Sequence, residues 1–235
     1  MAEDHGEADD GALSLEKQSL KANLDGGADT GLSDPLADLT PAKLSFALGV
    51  RAFREGHYDT ATEYFFNASV EDADSRVVRL MLAVSLLSIS EDEHAASFLR
   101  MAYEDTETHA GLDGLGFDLR RFYGEAQVTD FEALRKRVKE RAELHPSDPN
   151  ALLVDGFVAL GSADYDRAVV SFNAFQIFAV DEIDRALGTR LVAAAQAGAT
   201  LSANGQPDDA APSPEAVREF LSDPTLRAVR DLPIR

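Results

Sequence analysis

The sequence predicts an all-α fold, a right-handed α-solenoid of stacked helix hairpins that ends in a C-terminal capping helix. Three observations predict it: side-chain sizes that repeat in phase every 34 residues, helical spacing of apolar residues, and a capping threonine followed by proline at Thr40-Pro41. The repeat matches these pairs: Leu48 with Leu82, Gly49 with Ala83, Ala61 with Ala95, Phe65 with Leu99, and Ala68 with Ala102.

Each repeated size class has a packing reason. Gly49 and Ala61 lie 12 residues apart, so we expect them to face each other across two antiparallel helices whose backbones approach closely. Phe65 is predicted to fill the space beside them, and Gly56 gives the turn its backbone freedom. An ordinary helical hairpin is the alternative, but the in-phase second copy favours a repeat.

The first copy resembles a unit of the tetratricopeptide repeat (TPR) family. The segments that carry the resemblance are Phe46-Ala-Leu-Gly49, Gly56-His-Tyr58-Asp-Thr-Ala61 and Tyr64-Phe-Phe-Asn-Ala68. The resemblance implies a scaffold that binds a protein or peptide, and it names no partner.

The array is predicted to span residues 40–198, after an acidic flexible leader at 1–39 and before a linker with short helices at 199–235. The glycine-rich stretch 105–116 breaks the phase, and the capping pair Thr129 and Glu132 opens the second helix of a degenerate third unit. The predicted units are about 42–75, 76–109, 115–148 and 149–182, followed by a capping helix at 181–197 in which Ile183, Leu187 and Leu191 are four residues apart.

Composition limits the function classes. The chain has 235 residues, is 45% hydrophobic and carries a net charge of −20, which disfavours nucleic acid and anionic membranes as partners and favours a basic one. No apolar run is long enough for a membrane span, and no secretory signal is visible, so a cytoplasmic location is expected unless an export signal was trimmed.

No motif for catalysis or for a cofactor stands out. Glu91 and His94 have the Glu-x-x-His spacing of di-iron sites, but no second copy exists, and acidic residues at a helix start favour the helix dipole. The glycines at 111–116 lack the lysine and strand of a phosphate-binding loop. We therefore expect no metal, no cofactor and no enzyme activity.

The TPR resemblance also implies a concave face lined by the first helix of each unit. Chaperone-binding members carry polar clamp residues there, whereas this chain has apolar ones. Such a groove either receives an apolar partner helix or is covered by the leader or by tight closure of the array. The predicted partner-binding residues are Phe46, Val50, Phe53, Leu80, Met81, Val84, Leu87 and Phe157.

One basic cluster stands out in the third unit of this acidic chain. It is either a solvated helix face or a docking site for an acidic partner or the leader. Its predicted docking residues are Arg120, Arg121, Arg135, Lys136 and Lys139, with Arg137 and Arg141 nearby.

Together these features predict a non-catalytic adaptor with an apolar groove. The alternative is a structural or assembly subunit that forms homo-oligomers through exposed helical faces.

Overall fold

The computed structural model describes residues 40–104 and 118–203. All regular secondary structure in these two ranges is helical, which confirms the predicted all-α class. The helices are α1 (Pro41–Arg54), α2 (Tyr58–Glu71), α3 (Arg76–Ser88), α4 (Asp92–Glu104), α5 (Leu119–Tyr123), α6 (Val128–Leu144), α7 (Pro149–Leu160), α8 (Tyr165–Phe178) and α9 (Glu182–Ala203). The leader, the stretch 105–117 and the predicted helices after residue 203 lie outside the described residues.

Side-chain caps set the start of several helices. The Thr40 hydroxyl accepts a hydrogen bond from the Lys43 amide at 3.3 Å, with Pro41 at the first helical position, as the sequence predicts. Asp148 caps α7 in the same way, 2.9 Å from the Asn150 amide. The start of α6 differs from the prediction: it begins at Val128 after Gln127, and Thr129 is already inside the helix.

Glycines in α1 and α7 allow a close approach of the helix that follows each of them. A Cβ added to Gly49 would lie 2.7 Å from the ring of Phe65, and one added to Gly156 would lie 2.4 Å from the ring of Phe172. Gly49 and Gly156 are therefore the positions at which an aromatic ring from the next helix takes the space of a side chain.

Successive helices pack as antiparallel neighbours through the first two hairpins: α1 with α2, α2 with α3, and α3 with α4. From residue 118 onward the pattern changes. Helix α7 packs against α4, α6 and α8, while α6 also meets α3 and α5 meets α1. Consequently α3 and α7 are enclosed, and every residue from Met81 to Leu87 and from Ala151 to Leu160 is buried.

Two features of the second half differ from the sequence prediction. The first helix of the third unit is a single short helix, α5, which ends at Gly124 with φ +76°, a conformation that favours glycine. The capping helix α9 continues to Ala203 instead of ending near 197, and Gly198 in the added turn leaves space for the ring of Tyr165.

Candidate partner-binding surfaces

The predicted groove residues are buried, which favours the covered groove over the open one among the alternatives that the sequence left. Val50 is half-buried, and the other seven predicted residues are each 4% exposed or less. A partner cannot reach these side chains while the described helices stay in place. The residues in question are Phe46, Phe53, Leu80, Met81, Val84, Leu87 and Phe157.

An aromatic cluster covers the end of α1. The ring of Phe53 lies 4.5 Å from that of Phe122 and 4.9 Å from that of Tyr123, both on α5. Tyr123 in turn lies 5.3 Å from Phe131 on α6. Aromatic pairs at these centroid distances contribute about 0.5–1.5 kcal/mol beyond their buried area. The sequence left open whether the groove receives a partner helix or is covered by the leader or by tight closure. At the α1 end it is covered by α5 and α6.

Two hydrogen bonds made by hydroxyl groups fix the position of α5 and α6 over the α1 end. The Tyr58 hydroxyl donates a hydrogen bond to Asp130 Oδ2 at 2.6 Å, and the hydroxyl groups of Tyr123 and Ser88 share one at 2.6 Å. Burial raises the pKa of Tyr123 to about 12 despite the Ser88 hydrogen bond. Burial, followed by the hydrogen bond to Asp130, raises the pKa of Tyr58 as well.

A buried carboxylate joins α6 to the start of α4. Asp92 is 3% exposed and accepts hydrogen bonds from Arg137 at 2.7 and 2.8 Å and from Arg141 at 2.9 Å. Arg137 also donates to the Leu87 carbonyl oxygen at 2.7 Å, and Arg141 pairs with Glu93. Arg137 and Arg141 of the predicted basic cluster are therefore paired with carboxylates of the same chain.

The rest of the basic cluster lies on the outer side of α5 and α6. Arg120, Arg121, Lys136 and Lys139 are exposed, and Arg135 is half-buried. Arg135 pairs with Glu132, Lys136 with Glu140 at 3.9 Å, and Lys139 with Glu143 at 4.0 Å. These exposed ion pairs fit a solvated helix face, while docking of an acidic partner stays a prediction.

A polar cleft of about 520 Å³ lies where the α1–α2 turn faces the end of α3. Two of its lining side chains, Tyr58 and Ser88, are engaged in the hydrogen bonds described above. The cleft therefore lies where α5 and α6 pack against the first two hairpins, and its hydroxyl groups have a structural role in that contact. It is lined by Gly56, His57, Tyr58, Asp59, Thr60, Ser88 and Ile89.

Among the described residues, the largest concentration of exposed apolar side chains is at the α8–α9 turn. Ile177 is 74% exposed, Phe178 44%, Val180 87% and Ile183 64%, all within seven residues. We call these four residues the turn patch. Large apolar side chains concentrated on the surface of a domain mark docking sites more often than scattered ones do.

The sequence analysis missed this patch because it placed Ile183 on the inner side of the capping helix with Leu187 and Leu191. Those two leucines are buried, but Ile183 faces outward and its neighbour Asp184 points inward. Asp184 accepts hydrogen bonds from Arg100 of α4 at 2.9 and 3.0 Å. The signal in the sequence was the apolar run at 177–180, which continues past the point where α8 ends.

Glu91 and His94 are exposed neighbours at the start of α4, 3.1 Å apart between Oε2 and Nδ1. Among the side chains that the structure describes, no three histidine or carboxylate groups converge as a metal site would require. Within the same residues, no helix is both long and apolar enough to cross a membrane.

Comparison of the chain with protein family models, curated proteins and solved structures finds no match. Inferences about function therefore depend on the residues and their geometry.

Proposed function

We propose that the chain is a non-catalytic protein-binding scaffold of the TPR type, a right-handed solenoid of helix hairpins with α9 as its capping helix. The partner docks on the turn patch and not in the covered groove. One observation carries the proposal: four large apolar side chains are exposed within seven residues at the end of the last hairpin. Burying such side chains against a partner contributes about 1.5–3 kcal/mol each.

The buried charges support a structural role for the helices. Three carboxylates are buried among the described residues, and each is held by an arginine from a different helix. Asp155 on α7, for example, accepts hydrogen bonds from Arg167 at 3.0 Å and from Ser171, both on α8. Their acceptor atoms are engaged in joining helices, which favours a scaffold over a catalytic site.

The acidic charge suits this role and indicates the kind of partner. A net charge of −20 disfavours nucleic acid and favours a partner with basic residues around its apolar contact. Asp181 and Glu182 are exposed between Val180 and Ile183 and supply negative charge inside the turn patch. A cytoplasmic location, expected from the sequence, is part of the proposal.

The alternative function is homo-oligomerisation. It is supported by a second group of exposed apolar residues, which could form a contact between copies of the chain. Phe66 and Val70 lie one helical turn apart on α2, 52% and 67% exposed. If that pair met the turn patch of another copy, the contact would be heterologous and would build chains or rings. A mass measurement in solution at micromolar concentration distinguishes the two functions: a monomer favours the adaptor, and a multiple of the chain mass favours the assembly subunit.

The direct test places a photo-crosslinking phenylalanine analogue at Phe178 and, in a matched control, at Phe66, which is similarly exposed on α2. We expect a discrete crosslinked protein from position 178 only. The crosslink should disappear when Ile183 is changed to Asp in the same chain, with the helical content unchanged. Identical products from both positions, or a crosslink that survives Ile183→Asp, would contradict docking on the turn patch.

A further inference from the structure

We propose that the partner of the turn patch is a basic amphipathic α-helix, which lies along the outer side of α8 from the turn patch to Asp166. The inference rests on the proposed function, because it names the class of partner for the same surface. It also enlarges that surface, since it adds Val170 as an apolar contact and Asp166 as a charged one.

Exposed apolar side chains continue from the turn patch along α8. Val170 is 68% exposed and precedes Ile177 by seven residues. Seven residues make two helical turns, so the two side chains lie on one side of α8, about 10 Å apart. Asn173 lies between them and donates its amide to a backbone carbonyl of α8 at 2.9 Å. The opposite side of α8, with Phe172 and Phe175, is buried, so the outer side is the one that a partner can reach.

Acidic side chains lie at both ends of this apolar surface. Asp166 is exposed in the first turn of α8, and Asp181 and Glu182 are exposed at the turn that follows α8. The basic neighbours are engaged within the chain: Arg185 pairs with Glu182 at 3.6 Å, and Arg167 donates to a carboxylate of α7 at 3.0 Å. Charge complementarity therefore favours a partner with basic residues beyond each end of its apolar contact.

A helix fits this surface better than an extended peptide does. The described residues form helices and no strand, so within them an extended peptide finds no sheet edge for its backbone hydrogen bonds. A helix satisfies its own backbone groups, and its apolar residues recur at the two-turn distance that separates Val170 from Ile177. The outer side of α8 is about 18 Å long between Asp166 and the turn patch, which a partner helix covers with about 12 residues.

A second copy of the chain is less well matched to this surface. The apolar pair that it would present, Phe66 and Val70 on α2, lies among exposed carboxylates of its own, Glu63, Glu71 and Asp72. Contact between two copies would therefore bring acidic groups against acidic groups, in chains that each carry a net charge of −20.

The test uses the full chain and a designed peptide as the probe. The probe is a fluorescent peptide of about 18 residues, long enough to cover α8, with leucines at helical spacing and lysines at both ends. One control peptide has the same composition in scrambled order, and a second has glutamates in place of the lysines. Binding is measured by fluorescence anisotropy at low salt and at high salt.

The chain offers two matched pairs of variants. Val170→Ser is compared with Val70→Ser, since the two valines are 68% and 67% exposed but lie on α8 and α2. Asp166→Asn is compared with Asp59→Asn, because each aspartate is exposed at the second position of its helix.

We expect the basic helical peptide to bind at least about tenfold more tightly than either control peptide, because only it combines the apolar face with the basic ends. Val170→Ser should weaken this binding about five- to tenfold, since an apolar contact is lost, and Val70→Ser should leave it unchanged. Asp166→Asn should weaken it about two- to fivefold at low salt, and this difference should vanish near about 1 M salt. Asp59→Asn should have no effect.

Three results would overturn the inference: equal or absent binding of the three peptides, equal effects within either pair of variants, or self-association of the chain that Val170→Ser removes. The crosslink from Phe178 tests the proposed function separately. If that crosslink forms while the basic helical peptide fails, docking on the turn patch stands and the class of partner is wrong. If the crosslink is missing as well, both are wrong.

Discussion

At Gly49 and Gly156, single hydrogen atoms decide how closely two helices approach. The rings of Phe65 and Phe172 occupy the space in which a Cβ would stand. Both phenylalanines are fully buried, so neither ring can move away without disturbing its own surroundings. The packing argument from the sequence placed Phe65 beside Gly49 correctly, because that contact is local to one hairpin.

Changing Gly156 to Ala should therefore destabilise the fold by about 1–3 kcal/mol, although the same change in an open helix position stabilises it by up to about 1 kcal/mol. Urea unfolding of the two proteins measures the difference. Adding Phe172→Leu to Gly156→Ala relieves the clash, so the double variant should lose less than the sum of the two single variants. A more stable Gly156→Ala protein would show that the ring does not press on the backbone.

The buried tyrosines predict an alkaline limit to stability. The pKa of Tyr123 is about 12 in the fold and about 10 in the unfolded chain, so the fold holds the proton more tightly. This contribution is complete below pH 10 and is lost as the pH rises from 10 to 12, by about 1.4 kcal/mol per pH unit. Urea midpoints at pH 9 and 11 measure the loss, and Tyr123→Phe should make it smaller. An unchanged pH dependence in that variant would contradict the burial of this hydroxyl.

At the scale of elements, α6 is held by apolar contacts on one face and by charged groups along its edge. Its buried stripe of Phe131, Leu134, Val138 and Ala142 follows the spacing seen in the sequence. Where that stripe packs was not predictable, because the contacts that fix it join residues far apart in the chain. Asp92 and Arg137, for example, are 45 residues apart, and the 34-residue phase is broken in the sequence between them.

Replacing Asp92 with Asn should loosen α6, because two arginines lose the carboxylate that pairs them in a buried position. Because Arg137 and Arg141 are about one third exposed, we expect a loss of about 1.5–3 kcal/mol, as for hydrogen bonds to charged groups. The matched control is Glu91→Gln, which neutralises the adjacent exposed carboxylate and should change stability by less than about 1 kcal/mol. Hydrogen exchange should accelerate in α5 and α6 of Asp92→Asn. Equal effects of both substitutions would contradict the role given to Asp92.

At the scale of the whole molecule, the sequence predicted the helical class and the two regular hairpins, but it did not show that the predicted groove residues are buried. The groove prediction transferred positions from a regular array to a chain in which α5 and α6 cover the α1 end and α3 is enclosed. The turn patch escaped notice because one residue of register, Ile183 against Asp184, decides which side chain faces solvent. Periodicity alone does not resolve that choice, since Asp184 is placed by its pairing with Arg100.

The central claim is that the predicted groove is closed and the turn patch is open to a reagent. Thiol labelling of two valine variants tests it most directly, since the chain has no other cysteine. Val84→Cys lies at a fully buried groove position, and Val180→Cys lies at a position that is 87% exposed. We expect the thiol at 180 to react at least about a hundredfold faster, because the thiol at 84 waits for an opening of the fold. Similar rates at the two positions would mean that the groove is open and would contradict this account.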